Sequence, residues 1–246
     1  MEKKIALVTE GIGSVGTAIC RRLAVDYQVV ACYFNSGQHA EATAWQIEQQ
    51  EAGFAIDILY SDIASFDDCE KLITLVMERY GHIDILVNNA GITVDSPLGR
   101  MSEAQLQQAI DSNLTTVFNI TRNALPVMID RSYGRIITIS SINGREGQSS
   151  QYSYAATKAA LSDFTKSLAL EVASENITVN TISPGYIETA RRSLMKEDIL
   201  PSITSTTPVG RLGKSEEIAE AVSFLAADQQ AFINGANIDV HSGQYM

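Results

Sequence analysis

With 246 residues and a formal net charge of -11, the chain has room for one large domain or two small ones, and its acidity disfavours general nucleic-acid binding. Hydrophobic residues make up 45% and charged residues 19%, an ordinary globular composition with enough apolar surface for a sizeable core. No apolar run approaches the roughly 18 residues of a membrane span, and the amino end carries no signal-peptide pattern. No low-complexity tract or Pro/Gly/Ser linker divides the chain, so residues 1–246 read as a single domain, with the cytoplasm as the simplest compartment. Cys20, Cys32 and Cys69 are an odd, scattered set without CxxC spacing, which argues against a disulfide scaffold or zinc site and for small buried apolar side chains.

In chain order, IALVT (5–9) is a buried strand. It is followed by a glycine-bearing loop, EGIGSVG (10–16), and a helix starting near Gly16 with Ile19, Leu23 and Ala24 on one face. Strand, glycine loop and helix open a dinucleotide-binding unit, in which backbone N–H groups and the helix start meet a pyrophosphate. The loop alone also suits an ordinary strand-to-helix turn. Residues 28–34 form a second strand, and a helix lies within 35–53. AIDILYSDI (55–63) is a third strand with Asp62 at its end. Ser65 caps the next helix, which Gly81 stops. IDILVNNAG (83–91) runs from strand into polar turn. Ser102 and Gln105 form a capping box on a long helix with Asn113 in its interior. GRIITIS (134–140) is the central strand, ended by Ser141, and a helix carries Tyr154 and Lys158. ITVNTISPGYIET (177–189) holds a further strand that ends in Pro184-Gly185, Ser215 precedes a shorter helix, and Ile233 to Val240 supplies the last strand. Strands alternating with helices, seven times over, define an α/β fold: a single doubly wound parallel sheet, Rossmann-like, with helices on both faces.

In such a sheet ligands bind at the carboxyl ends of the strands. The groups there are Gly11–Gly16, Asp62, Asn88–Gly91, Ser141 and Pro184–Thr189, with no His and no carboxylate pair at metal spacing, so no metal site is expected. Tyr154 and Lys158 are four apart and share a helix face. A phenol titrates near about 10, and a nearby ammonium favours its charged form. A Tyr/Lys pair facing a strand-end serine therefore suits carbonyl/alcohol interconversion. Tyr154 exchanges the proton, Ser141 orients the carbonyl, and a nicotinamide exchanges the hydride.

These pieces resemble the short-chain dehydrogenase/reductase family, and the likeness covers essentially the whole chain. It rests on the Thr9–Gly16 loop, Asp62, NNAG at 88–91, Asn113, Ser141, YAATK at 154–158, PGYIET at 184–189 and the tail PVGRLGKSEEIAEAVSFLAAD. The resemblance implies that Ser141, Tyr154 and Lys158 are catalytic and that Asn113 holds a water completing a proton relay from Lys158. It implies cofactor contacts from Gly11, Ile12, Ser14, Val15 and Gly16, from Asp62 and Ile63, and from Asn89, Ala90 and Gly91. Tyr154, Lys158, Pro184, Gly185, Ile187 and Thr189 complete that set. A homotetramer is also implied. Within the family, GITVD (91–95), SSINGREGQSSQ (140–151) and SPGYIET (183–189) resemble acetoacetyl-CoA reductases of the polyhydroxybutyrate pathway. That likeness places Asp95, Gln148, Gln151 and Tyr186 around an acyl-CoA thioester. 3-Oxoacyl-[acyl-carrier-protein] reductase shares most of these features and stays open as the alternative.

The chain also departs from the family. Val94 and Ser149 replace a basic and an aromatic residue of the subgroup, with Arg145, Arg191 and Arg192 as candidate phosphate contacts. Glu10 and Ser14 replace the first two loop glycines, so cofactor binding is expected to be weaker than in a glycine version, and a catalytically silent nucleotide-binding or assembly subunit is the different-class alternative. After the second strand no acidic residue awaits a free ribose 2′-hydroxyl, and no Arg or Lys marks a 2′-phosphate site. NADPH is expected by analogy with the subgroup, and NADH stays possible.

Overall fold

The structure is a computed structural model that describes residues 3–189 and 204–245. Its strands are β1 (Ile5–Thr9), β2 (Gln28–Tyr33), β3 (Ile56–Tyr60), β4 (Ile85–Asn88), β5 (Gly134–Ile139), β6 (Ile177–Pro184) and β7 (Asn237–Val240). Every ladder is parallel, in the order β3-β2-β1-β4-β5-β6-β7. The chain leaves β1 towards β2 and β3, then returns to β1's other side for β4. That reversal opens a crevice at the carboxyl ends of β1 and β4, where open sheets of this kind take ligands.

The helices are α1 (Ser14–Ala24), α2 (His39–Glu51), α3 (Phe66–Tyr80), α4 (Glu103–Ile110), α5 (Thr116–Asp130), α6 (Tyr152–Val172) and α7 (Ser215–Ala226). Side chains alternate across each strand. Ile5 and Leu7 of β1 pack with Leu72 and Val76 of α3, Ile120 and Met128 of α5 and Val172 of α6. Ala6 and Val8 pack on the opposite face with Ile19 and Leu23 of α1 and Ile218 and Val222 of α7. The strands are covered on both sides, which is why they read as unbroken apolar runs. Each fully buried Leu or Ile contributes roughly 1.5–3 kcal/mol. Cys20, Cys32 and Cys69 are buried free thiols in these layers. Among the described residues, no helix is long and apolar enough to cross a membrane.

Helix ends follow local chemistry. Ser65 Oγ accepts from the Asp68 N–H at the start of α3, Gly81 closes it in the left-handed conformation, and Ser102 with Gln105 forms the expected capping box on α4.

Several boundaries differ from the sequence reading; β3, read over 55–63, ends at Tyr60, before Asp62. Helix α1 begins at Ser14, not near Gly16, because extended Gly13 is its N-cap. The long helix after Ser102 is interrupted by a π-turn at Asp111–Thr115, so Asn113 sits in a distortion between α4 and α5. Strand β5 stops at Ile139, and Ser141 instead caps the 3-10 turn Ile142–Gly144. The last strand starts at Asn237 rather than Ile233. Before that point asparagine side chains join the backbone bonds to β6: Asn234 Oδ1 accepts from the Val179 N–H at 2.8 Å, and Asn180 Nδ2 donates to the Ile233 carbonyl at 2.8 Å.

Candidate active site

The crevice is closed at its base by Thr9, the last residue of β1. Its buried Oγ1 accepts from the N–H groups of Asn89 (2.9 Å) and Ala90 (3.1 Å), tying the turn after β4 to the loop after β1. Asn89 Nδ2 returns the contact, donating to the carbonyls of Thr9 (3.0 Å) and Glu10 (3.2 Å). Asn88 lies deeper and donates to Thr121 and Thr138 hydroxyls, a structural role. A Cβ on Gly16 would stand 2.1 Å from the Glu10 carbonyl oxygen, so only glycine lets α1 close on the loop. Gly13, the N-cap of α1, carries no side chain to cap the helix, so α1 starts at the crevice mouth without a side-chain cap from that position. Ile12, Ser14, Thr17, Arg21, Glu188 and Lys214 line a cleft of about 490 Å³ there.

At the neighbouring strand end, Lys158 is 3% exposed, and its Nζ donates to the Ile139 carbonyl at 2.9 Å. The ammonium lies 5.8 Å from the Tyr154 ring centroid, one helical turn earlier. Ser140 Oγ donates to the Lys158 carbonyl at 2.8 Å and fixes α6 against β5. Burial pushes the Lys158 ammonium down to about 8, while the Glu10 carboxylate acts in the opposite sense. Asn113 is fully buried. Its Oδ1 accepts from the Ile92 N–H (2.8 Å), and its Nδ2 donates to the Ile92 carbonyl (3.0 Å) and Thr157 Oγ1 (3.1 Å). The π-turn adds the one residue that brings Asn113 to this contact. Gly91, Asn113 and Lys158 thereby meet, and Ser141 enters from the turn after β5, its Oγ accepting from the Asn143 N–H at 3.2 Å.

Three of the four expected substrate residues form one network. Gln151 Nε2 donates to Asp95 Oδ2 at 2.9 Å, and the side-chain oxygens of Gln148 (2.7 Å) and Gln151 (2.6 Å) both accept from Asn143 Nδ2. Asn143 is the hub that sequence reading missed. Its available signal was its place two residues after Ser141, in a polar loop already assigned to substrate. Tyr186 is placed differently: it lines a cavity of about 250 Å³ with Gly185, Arg211, Glu217, His241 and Gln244.

Of the remaining candidates, Asp62 is exposed and its Oδ1 accepts from the Ala64 N–H at 3.1 Å. Ile63 buries its side chain in the core, leaving only its backbone for a ligand. Val15 packs against the α1 layer. Pro184 pairs with Val240, Ile187 bridges to Gly213, and Thr189 is half-buried beside them. Arg145 stands 3.5 Å from Asp239, an exposed pair, so its guanidinium is not held ready for a phosphate. Arg191 and Arg192 lie outside the described residues. Glu10 adopts φ +51 and turns its carboxylate inward, with Oε2 accepting from the Gly91 N–H at 3.2 Å.

The glycine cradle, the start of α1 at the crevice mouth and a buried lysine at the next strand end fit a nicotinamide dinucleotide laid across the switch point, with the Glu10 carboxylate against it. Fold and site together define an oxidoreductase of the dinucleotide-binding α/β class. A family model described as enoyl-(acyl carrier protein) reductase matches residues 11–244. The chain is 45% identical over 243 residues to an acetoacetyl-CoA reductase of Allochromatium vinosum, covering 99% of both chains. It is 42% identical over 248 residues to an acetoacetyl-CoA reductase of Cupriavidus necator, covering 100% of both. It is 40% identical over 245 residues to the 3-oxoacyl-[acyl-carrier-protein] reductase FabG of Escherichia coli, covering 100% of this chain and 98% of the other. The chain belongs to the short-chain dehydrogenase/reductase family.

Proposed function

We propose that this protein reduces a 3-oxoacyl thioester, acetoacetyl-CoA first, to the 3-hydroxyacyl thioester, with NADPH as the preferred coenzyme. The observation that carries the reading is the buried Lys158 ammonium beside the Tyr154 ring on α6, held to the Ile139 carbonyl at the end of β5, two residues before Ser141. Full-length likeness to acetoacetyl-CoA reductases supports the substrate class. When bound, the reduced nicotinamide supplies a hydride to the C3 carbonyl carbon. Ser141 hydroxyl donates to the carbonyl oxygen and fixes its angle of approach. Tyr154 gives its phenolic proton to that oxygen as the C=O bond becomes C–O–H. The Lys158 ammonium stabilises the charge left on Tyr154 and passes on a replacement proton, with Asn113 beside it to hold the relay's water. The Asp95–Gln151–Asn143–Gln148 network presents amide and carboxylate groups for the thioester arm.

The loop, Asp62 and Ile63, Asn89–Gly91, and Pro184–Thr189 would hold the cofactor along the crevice. A homotetramer in the cytoplasm, serving polyhydroxybutyrate synthesis, completes the proposal. Likeness to FabG favours a second reading, in which the thioester is carried by acyl carrier protein. The test follows loss of NADPH or NADH absorbance with acetoacetyl-CoA and with acetoacetyl-acyl carrier protein, beside a Tyr154→Phe control. Turnover lost in the control supports the reductase, and the faster carrier and coenzyme select between readings. No turnover with any pair would favour a silent nucleotide-binding subunit.

A further inference from the structure

Glu10 has no place in the reaction just described, yet its geometry is specific. Its φ of +51 lies in the left-handed region that residues with a Cβ enter at a cost. The side chain does not use that turn to reach solvent. Its Oε2 accepts from the Gly91 N–H at 3.2 Å, and its Oε1 lies 3.3 Å from where a Gly13 Cβ would be. Gly91 in turn abuts Lys158: a Cβ on it would stand 3.1 Å from Nζ. Carboxylate, amide and ammonium therefore lie side by side across the crevice. The groups packed around this row are the Ile139 carbonyl from β5, Asn113 from the π-turn, Tyr154 from α6 and Glu10 from the loop. Tyr154 and Glu10 are the two of these that titrate, and Glu10 is the one that opposes the loss of charge that burial imposes on Lys158.

We propose that the Glu10 carboxylate is a resident anion of the cofactor crevice, which holds the Gly91 amide and balances Lys158 in the cofactor-free protein and swings out when the dinucleotide seats. This rests on the reading that a nicotinamide dinucleotide binds here. It differs from simple repulsion of a pyrophosphate, because the carboxylate gives up the Gly91 amide and its attraction to Lys158, a residue of the proposed catalytic set. The exchange lowers cofactor affinity and, before binding, keeps Lys158 protonated.

The test compares wild type, Glu10→Gln and Glu10→Gly. Glutamine can still accept from the Gly91 N–H but carries no charge, whereas glycine removes both contacts and suits the left-handed backbone. Two readouts are taken: the Kd of NADPH and of NADH by fluorescence, and the Lys158 titration in cofactor-free protein by NMR of 15N-labelled lysine. The expected result is a Kd tightened by about tenfold in Glu10→Gly and by less in Glu10→Gln. The Lys158 midpoint should fall by about one unit in both variants. Measurable but equal Kd values, or an unmoved Lys158 midpoint, would overturn the inference and leave the reductase reading standing. Failure of all three proteins to bind either dinucleotide would sink both.

Discussion

Gly91 packs tightly between Lys158 and Asn113: a Cβ on it would lie 3.1 Å from Lys158 Nζ and 3.1 Å from Asn113 Oδ1, so one of them must give by a few tenths of an ångström to admit it. Both neighbours are buried and hydrogen-bonded, so neither can retreat freely. Gly91→Ala should displace the ammonium from the Tyr154 side of the crevice and destabilise the protein by about 1–3 kcal/mol, as overpacking does. Turnover should fall by more than the lost stability explains. Steady-state kinetics at a temperature where the variant is fully folded would check this, and wild-type kcat would refute it.

Lys158 is a functional group held against its own solvation. Burial brings it down to about 8, from an unfolded value of about 10.4. The unfolded chain therefore binds more protons between those two values, and stability contributed at this site rises as pH climbs from about 8 towards about 10.4. Below about 8 the whole cost is present. Lys158→Met should remove that cost, offset in part by the lost bond to the Ile139 carbonyl. A net gain of about 1–2 kcal/mol at pH 7 is expected, with turnover abolished. Calorimetry at pH 7 and pH 9.5 is the check: the gap in Tm between variant and wild type should narrow at the higher pH.

Tyr154→Phe keeps the ring beside Lys158 and removes the phenolic hydroxyl with its proton. Turnover should fall by about 10²–10⁴. The Kd for the coenzyme should stay close to wild type, because the ring's packing is retained. A large loss of coenzyme binding would mean that the hydroxyl serves the cofactor rather than the carbonyl.

Asn143 joins Ser141 to Gln148 and Gln151 through one backbone and two side-chain hydrogen bonds. Asn143→Ala should release the two glutamines. Each bond is worth about 0.5–1.5 kcal/mol, so KM for the thioester should rise by roughly tenfold while kcat changes less. A fall in kcat at constant KM would place Asn143 with the reacting groups instead.

Much of this architecture was legible because burial leaves a plain trace. IALVT, QVVACY and GRIITI read as strands because both of their faces are covered, and Ser65, Gly81 and the Ser102/Gln105 pair marked helix ends through local bonds alone. The pairing of Tyr154 with Lys158 was legible from their four-residue step, which the structure shows as one turn of α6 with the ammonium 5.8 Å from the ring centroid. Other features depend on partners far along the chain. The π-turn at Asn113 adds one residue to a helical pattern whose periodicity is too coarse to reveal it, and it is held by Ile92 and Thr157. The late start of β7 follows from Asn180 and Asn234, which bond across some fifty residues. Glu10 was visible as an intruder among glycines. That it turns towards Gly91 rather than solvent depends on where the turn after β4 sits.

The strand order also sets a schedule for synthesis. β1 is made first but lies mid-sheet, between β2 and β4, and its β4 partner ends at Asn88. At about 5–20 residues per second, a ribosome needs on the order of 4–15 seconds to deliver that partner after β1. Throughout that interval one edge of an apolar strand has nothing to pair with, a condition that invites association between nascent chains. The crevice between β1 and β4, the proposed cofactor site, is thus the seam that closes late as the protein is born.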